Sequence, residues 1–173
     1  MPAFTDNLRF TIEPMTEAHA MAVCSWRYEP PYDRYNWEPW ETMASLGKEF
    51  ADPHIRTEQY RSALLDGDKL AGFVQLFPLS GDDAAGTIRL GLGLRPDLCG
   101  LRRGIGAALA REAALYALGL YPGWSVDLEV AADNLRAIAA YERAGFVRTD
   151  SYELRASHGT TTTYCMVWGG PER

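Results

Sequence analysis

Leu90-Gly91-Leu92-Gly93-Leu94-Arg95-Pro96-Asp97-Leu98-Cys99-Gly100-Leu101-Arg102-Arg103-Gly104-Ile105-Gly106-Ala107-Ala108-Leu109-Ala110 is the stretch on which the fold turns. Leucines alternating with glycines predict the end of a strand over Thr87–Leu94, closed by Arg95-Pro96. A glycine-rich loop then opens straight into a helix over Gly104–Leu118, with Ile105, Leu109, Ala113 and Tyr116 on one stripe. Such a loop can aim several backbone N–H groups at one anion, and the helix N-terminus adds its positive end. Gly100, Gly104 and Gly106 let backbone approach a phosphate unobstructed, and Arg102 and Arg103 add cationic charge. The same residues also suit a plain tight turn. The dinucleotide spacing GxGxxG is missing, and no Gly-Lys-Ser/Thr follows to make a P-loop.

Downstream, Val126, Leu128 and Val130 share one face of a strand, and Asn134–Ala144 reads as a helix closed by Gly145. Phe146–Leu154 and Thr161–Trp168 read as a final strand pair. Upstream, Leu8–Glu13 is a short strand, Thr16 caps a helix running to about Trp26, and a helix is expected over Glu41–Phe50. Tyr60–Leu65 and Leu70–Phe77 form a hairpin through Asp66-Gly67-Asp68, and Ser80–Gly86 is a loop. An antiparallel beginning, a central strand–helix–strand crossover and an antiparallel end predict one α+β domain over residues 1–173. Its sheet should be mixed and mostly antiparallel, flanked by helices, with a βαβ core near residues 87–146.

The second informative block is Leu128-Glu129-Val130-Ala131-Ala132-Asp133-Asn134-Leu135-Arg136-Ala137-Ile138-Ala139-Ala140-Tyr141-Glu142-Arg143-Ala144-Gly145-Phe146. In order and spacing, the two blocks together resemble the GNAT superfamily of acetyl-CoA-dependent N-acetyltransferases. The resemblance implies that the backbone of Leu92, Gly93 and Leu94 pairs with the pantetheine arm, and that one of these N–H groups polarises the thioester carbonyl. It places the pyrophosphate on Arg102, Arg103, Gly104, Ile105, Gly106 and Ala107, gives Asn134 a hydrogen bond to the pantetheine, and makes Tyr141 the acid that protonates the departing thiolate. The chain departs from the family at Leu101, which stands where Gln or Arg is usual. Independently of the resemblance, Asn134, Ile138 and Tyr141 fall on one stripe of a helix, offering an amide, an apolar contact and a phenol along it.

Direct attack by an amine needs a fixed donor for the developing oxyanion, an acid for the thiolate and a base for the ammonium proton. Glu129 is the candidate base, on the strand face opposite Val126, Leu128 and Val130; a solvated glutamate reads the same way. Glu29, Asp33 and Glu38 are alternatives. Glu-Val at this position also resembles ribosomal-protein N-terminal acetyltransferases. Residues 26–40 interleave Tyr28, Tyr32, Tyr35, Trp37 and Trp40 with acids and prolines, a composition able to hold a cationic amine. The expected acceptor is therefore an amine, cationic in character: a small amine, an antibiotic or a protein N-terminus. A non-catalytic acyl-CoA sensor is the alternative function, and the resemblance allows a homodimer.

The remaining composition narrows these readings. Apolar residues make up 47% and charged residues 23% of 173, suiting a globule with its own core. A net charge of −6 argues against non-specific nucleic-acid binding. Cys24, Cys99 and Cys165 form no CxxC pair, and His19, His54 and His158 are scattered, so no metal is expected. No secretory leader or membrane span is visible, and a cytoplasmic location is expected.

Overall fold

The structure, a computed structural model, describes residues 8–80, 85–101, 103–156 and 159–170. Arg102 and His158, both singled out above, lie outside the described residues, as does part of the Ser80–Gly86 loop. Seven strands form one sheet in the order β1-β2-β3-β4-β5-β7-β6. They are β1 Phe10–Pro14, β2 Tyr60–Leu65, β3 Lys69–Leu79, β4 Thr87–Leu94, β5 Ser125–Ala131, β6 Phe146–Ala156 and β7 Gly159–Trp168. The helices are α1 Glu17–Ser25, α2 Trp40–Leu46, α3 Pro53–Gln59, α4 Ile105–Leu120 and α5 Leu135–Ala144. The domain is α+β as expected, and β4 with β5 is its parallel pair, joined through α4.

The sheet buries both faces, for different reasons. On one side Val74, Leu76, Ile88, Leu90, Val126 and Leu128 meet α4. Ala108, Ala110, Ala113, Ala114 and Ala117 are all buried there, and their small size lets the helix backbone sit close to the strands. The opposite face carries Tyr60 and Phe73, covered by Val23 and Cys24 of α1, Met43 of α2 and the aromatic rings of Trp26, Trp37 and Phe50. Trp37 stands edge-on to Phe50 at 4.8 Å and to Phe73 at 6.2 Å. The alternation of each strand thus sends one set of residues toward α4 and the other toward α1 and α2.

Local chemistry explains where sequence expectation and structure part. Thr16 caps α1 as expected, accepting from the His19 N–H at 3.1 Å. The helix expected over Glu41–Phe50 instead breaks at Gly47, whose left-handed φ of 60° closes α2, and a 3₁₀ turn follows over Glu49–Ala51. Helix α3 was not anticipated, although Asp52-Pro53 announces it: Asp52 Oδ1 accepts from His54 N–H at 2.8 Å and Ile55 N–H at 3.0 Å, and Pro53 occupies the first helical position. Strand β3 runs two residues past Phe77, through Pro78. The missing N–H of Pro78 costs no rung, because β2 pairs with β3 only as far as Tyr60 opposite Gln75.

Candidate active site

The site begins where two strands part. Parallel pairing of β4 with β5 runs from Thr87 opposite Ser125 to Leu90 opposite Leu128 and stops, although both strands continue. The Arg95 N–H donates to Ala71 O of β3 at 2.8 Å, and β3–β4 pairing keeps one register from Leu94 back to Thr87. Peptide groups alternate sides along a strand. Leu92 and Leu94 therefore turn their N–H and C=O groups toward the gap left by β5, while those of Gly93 bond to β3. Of the three residues expected to pair with a pantetheine arm, Leu92 and Leu94 have backbone on that side. At Gly93 any Cβ would collide with the Phe73 ring.

A cleft of about 660 Å³ follows this gap, lined by β4, the loop before α4, the end of β5 and one face of α5. At its α4 end, Gly104 takes φ of 72°, a conformation glycine adopts cheaply. No side chain caps the helix, and its first internal bond is Ala108 N–H to Gly104 O at 3.0 Å. The N–H groups of Ile105, Gly106 and Ala107 thus have no intrahelical partner. Helix α5 comes close, the position of a Gly106 Cβ lying 3.3 Å from Ala140 Cβ, and brings Arg136 and Arg143 beside Gly100 and Gly104. Arg103 lines the cleft too. Unmatched helical N–H groups ringed by guanidinium groups fit a diphosphate. Arg136 and Arg143 went unnoticed in the sequence, although their spacing of seven puts them on one stripe of α5.

Asn134 caps α5: its Oδ1 accepts from Ala137 N–H at 3.2 Å, and its Nδ2 donates to Tyr35 OH at 3.3 Å. These two bonds fix the amide plane at the cleft wall and leave one N–H of its NH₂ for a ligand. Tyr141 packs its ring against Phe146 at 6.0 Å and lines the cleft. Burial first, then the neighbouring Tyr35, pushes its phenol up to about 12. Among the described residues no protein group hydrogen-bonds that hydroxyl, which leaves it free for a ligand atom.

Glu129 also lines the cleft, near the end of β5. It is not a solitary carboxylate. Arg89 Nη1 donates to it, and Arg89 is itself gripped by Asp127 through Nε at 3.1 Å and Nη2 at 2.9 Å. Tyr152 stands beside Glu129; burial, then hydrogen bonding to that carboxylate, pushes its phenol up to about 12. Arg89 was missed in the sequence, where a lone arginine between Ile88 and Leu90 of an apolar strand was the available signal.

Residues 27–40 form a roof. Tyr28 OH donates to Leu94 O at 2.6 Å, Arg34 forks onto Asp133 at 2.7 and 2.9 Å, and Arg136 lies 4.0 Å above the Tyr32 ring. Tyr28, Tyr32, Tyr35 and Trp37 line the cleft. The acids of the segment do not: Glu38 pairs with Lys48 at 2.9 Å, and Glu29 lines a separate cavity of about 410 Å³. Among the described residues no cluster of ligating side chains could hold a metal.

Residues 18–146 match the sequence model of the acetyltransferase (GNAT) family. The chain belongs to this family, whose members use acetyl-CoA as acetyl donor, and it is an acetyltransferase. The fold agrees with solved structures at low identity. A spermidine N-acetyltransferase SpeG chimera from Vibrio cholerae and hSSAT superposes with TM-score 0.71 at 18% identity, over 92% of this chain and 94% of that one. A GNAT-family acetyltransferase from Bacillus anthracis gives 0.73 at 14%, over 92% and 93%. The ribosomal-protein-S18-alanine N-acetyltransferase from Escherichia coli gives 0.59 at 20%, over 95% and 96%. No curated protein matches by sequence. No described helix is long and apolar enough to cross a membrane.

Proposed function

We propose that this protein transfers the acetyl group of acetyl-CoA to an amine by direct attack, with Tyr141 as the acid and Glu129 as the base. The observation that carries the reading is the parting of β4 from β5, which presents Leu92 and Leu94 peptide groups beside the uncapped start of α4 and the Tyr141 phenol. Bound there, acetyl-CoA supplies an activated acyl carbon and a thiolate leaving group. A Leu92 or Leu94 N–H, fixed before reaction, faces the carbonyl oxygen as negative charge develops on it. Tyr141, still protonated at any physiological pH, donates to the sulfur. Glu129 takes the proton that the ammonium must lose, directly or through one water, while Arg89 and Tyr152 hold it in place.

Spermidine, an aminoglycoside and the alanine of ribosomal protein S18 are the acceptors named for structural neighbours, and the amine nucleophile they share is what carries to this chain. The proposal extends to a cytoplasmic location, where the free thiols Cys24, Cys99 and Cys165 stay reduced, and to a homodimer. The test is calorimetric titration with acetyl-CoA followed by thiol release over a panel of amines. Saturable heat and amine-dependent thiol release are expected. Binding without turnover on any amine would replace the enzyme by a sensor; no heat would remove the coenzyme site. Sedimentation velocity reads the dimer.

A further inference from the structure

The acceptor end of the cleft can be identified by its face of the sheet. Gly91, Gly93 and Glu129 point away from α4, and the space beyond them is walled by Phe73, Leu154 and Thr163 and roofed by Tyr35 and Trp37. Three features of that chamber set what it can receive. Its walls are mostly aromatic or apolar, Thr163 being the polar exception, with Trp37 and Phe73 in edge contact. Its roof is tied to the residues just before α5 by the Arg34–Asp133 fork and the Asn134–Tyr35 bond, which hold the Tyr35 ring over it. Its charge is small and countable. Glu129 is the sole carboxylate among the described lining residues, and it shares Arg89 with Asp127. Two carboxylates and one guanidinium leave a net charge of −1, enough to balance one ammonium.

A second ammonium inside the chamber would find no carboxylate to offset its desolvation. The three roof acids serve elsewhere: Glu38 pairs with Lys48, Glu29 lines the separate cavity, and Asp33 is exposed and does not line the cleft. An aromatic or aliphatic body, by contrast, gains from contact with Trp37 and Phe73, and its single ammonium gains from the ring faces as well as from Glu129.

We propose that the acceptor is a small primary amine with one positive charge on an aromatic or apolar body, and that polycationic amines are discriminated against. This rests on the acetyl-transfer reading above.

The experiment first titrates the protein with acetyl-CoA by calorimetry, then measures kcat/KM by thiol release with phenethylamine, spermidine, an aminoglycoside and an Ala-Phe amide at fixed ionic strength. Phenethylamine is expected to exceed spermidine and the aminoglycoside at least tenfold. Leu154→Glu, placed on the exposed β6 wall, adds the missing second carboxylate and should raise kcat/KM for spermidine at least fivefold with acetyl-CoA affinity unchanged. Equal or better use of spermidine by the unaltered protein overturns the proposal. Use of the Ala-Phe amide at least tenfold above spermidine also supports the proposal, since it too carries one ammonium on an apolar body, and turnover of none of the four while acetyl-CoA binds overturns it outright. Absence of acetyl-CoA heat identifies instead a failure of the underlying acetyl-transfer reading.

Discussion

Replacing Tyr141 by Phe isolates one oxygen atom. The ring stays, so its packing against Phe146 at 6.0 Å is preserved. The hydroxyl has no protein partner among the described residues, so its loss orphans nothing. Its proton is held with a pKa of about 12, whereas a thiol such as cysteine sits near ~8.5. Complete transfer to the leaving sulfur would therefore run uphill by roughly 3.5 pH units, about 5 kcal/mol. As the proposed acid, the phenol therefore hydrogen-bonds the developing thiolate before giving up its proton, and the proton shed by the attacking nitrogen restores the phenol. A hydrogen bond to a charged group contributes about 1.5–3 kcal/mol, so Tyr141→Phe should lower kcat by roughly 10- to 150-fold. Single-turnover acetyl transfer measured by quenched flow reads the chemical step, and calorimetry should return an acetyl-CoA Kd within about twofold of the parent's. Because Tyr141 keeps its proton until pH approaches 12, it should contribute no alkaline limb to the rate below about pH 11. An unchanged single-turnover rate would remove Tyr141 from the chemistry, and a large rise in Kd would make it a binding residue.

Glu129→Gln keeps an acceptor for Arg89 but removes the base. We expect roughly 10²–10⁴-fold lower kcat/KM at pH 7, recovering toward pH 10 as free amine accumulates in solution; a pH-independent deficit would point to a binding role. Gly104→Val puts a branched side chain at φ of 72° beside Arg143 Nη2, a strain of about 1–2 kcal/mol. Its acetyl-CoA Kd should rise at least tenfold by calorimetry, and an unaltered Kd would contradict the diphosphate seat. Burial, then hydrogen bonding to Glu49 at 2.5 Å, pushes the Tyr60 phenol well above its ordinary value of 10.0. A raised folded pKa gives stability that is fully present below the unfolded value and lost as pH climbs past it. Urea unfolding should therefore show stability falling above pH ~10 by about 1.4 kcal/mol per pH unit for each such tyrosine. Tyr60→Phe should make that decline shallower, and an identical slope would refute the assignment.

How much of this was legible in sequence depended on the range of the interaction. Strand β4, helix α5 with its Asn134 cap, and the Thr16 cap of α1 are set by neighbours a few residues away, and the chain states them openly. The Asp52-Pro53 start of α3 is equally local, an acidic cap followed by proline at the first helical position, but its seven residues are too few to show a helical period. The site's supports are of another kind. Arg34 meets Asp133 across 99 residues, Tyr28 meets Leu94 across 66, and Arg89 meets Glu129 across 40. Nothing in the periodicity of either partner announces such a pairing; only the folded sheet brings them together. Glu129 and Tyr141 could be nominated from their strand and helix positions, whereas the company each keeps had to await the structure.

The divergence of β4 and β5 has a consequence for the molecule's upkeep. A sheet usually confines its unmet peptide groups to its outer margins, where charge or short length guards against stray pairing. This one carries such a margin in its interior, at Leu92 and Leu94, and the Tyr28 hydroxyl already plugs one carbonyl of it. A ligand arm that completes the missing rung would knit the two halves of the sheet together. Occupancy should then slow amide exchange across the whole central region, far beyond the atoms the ligand touches.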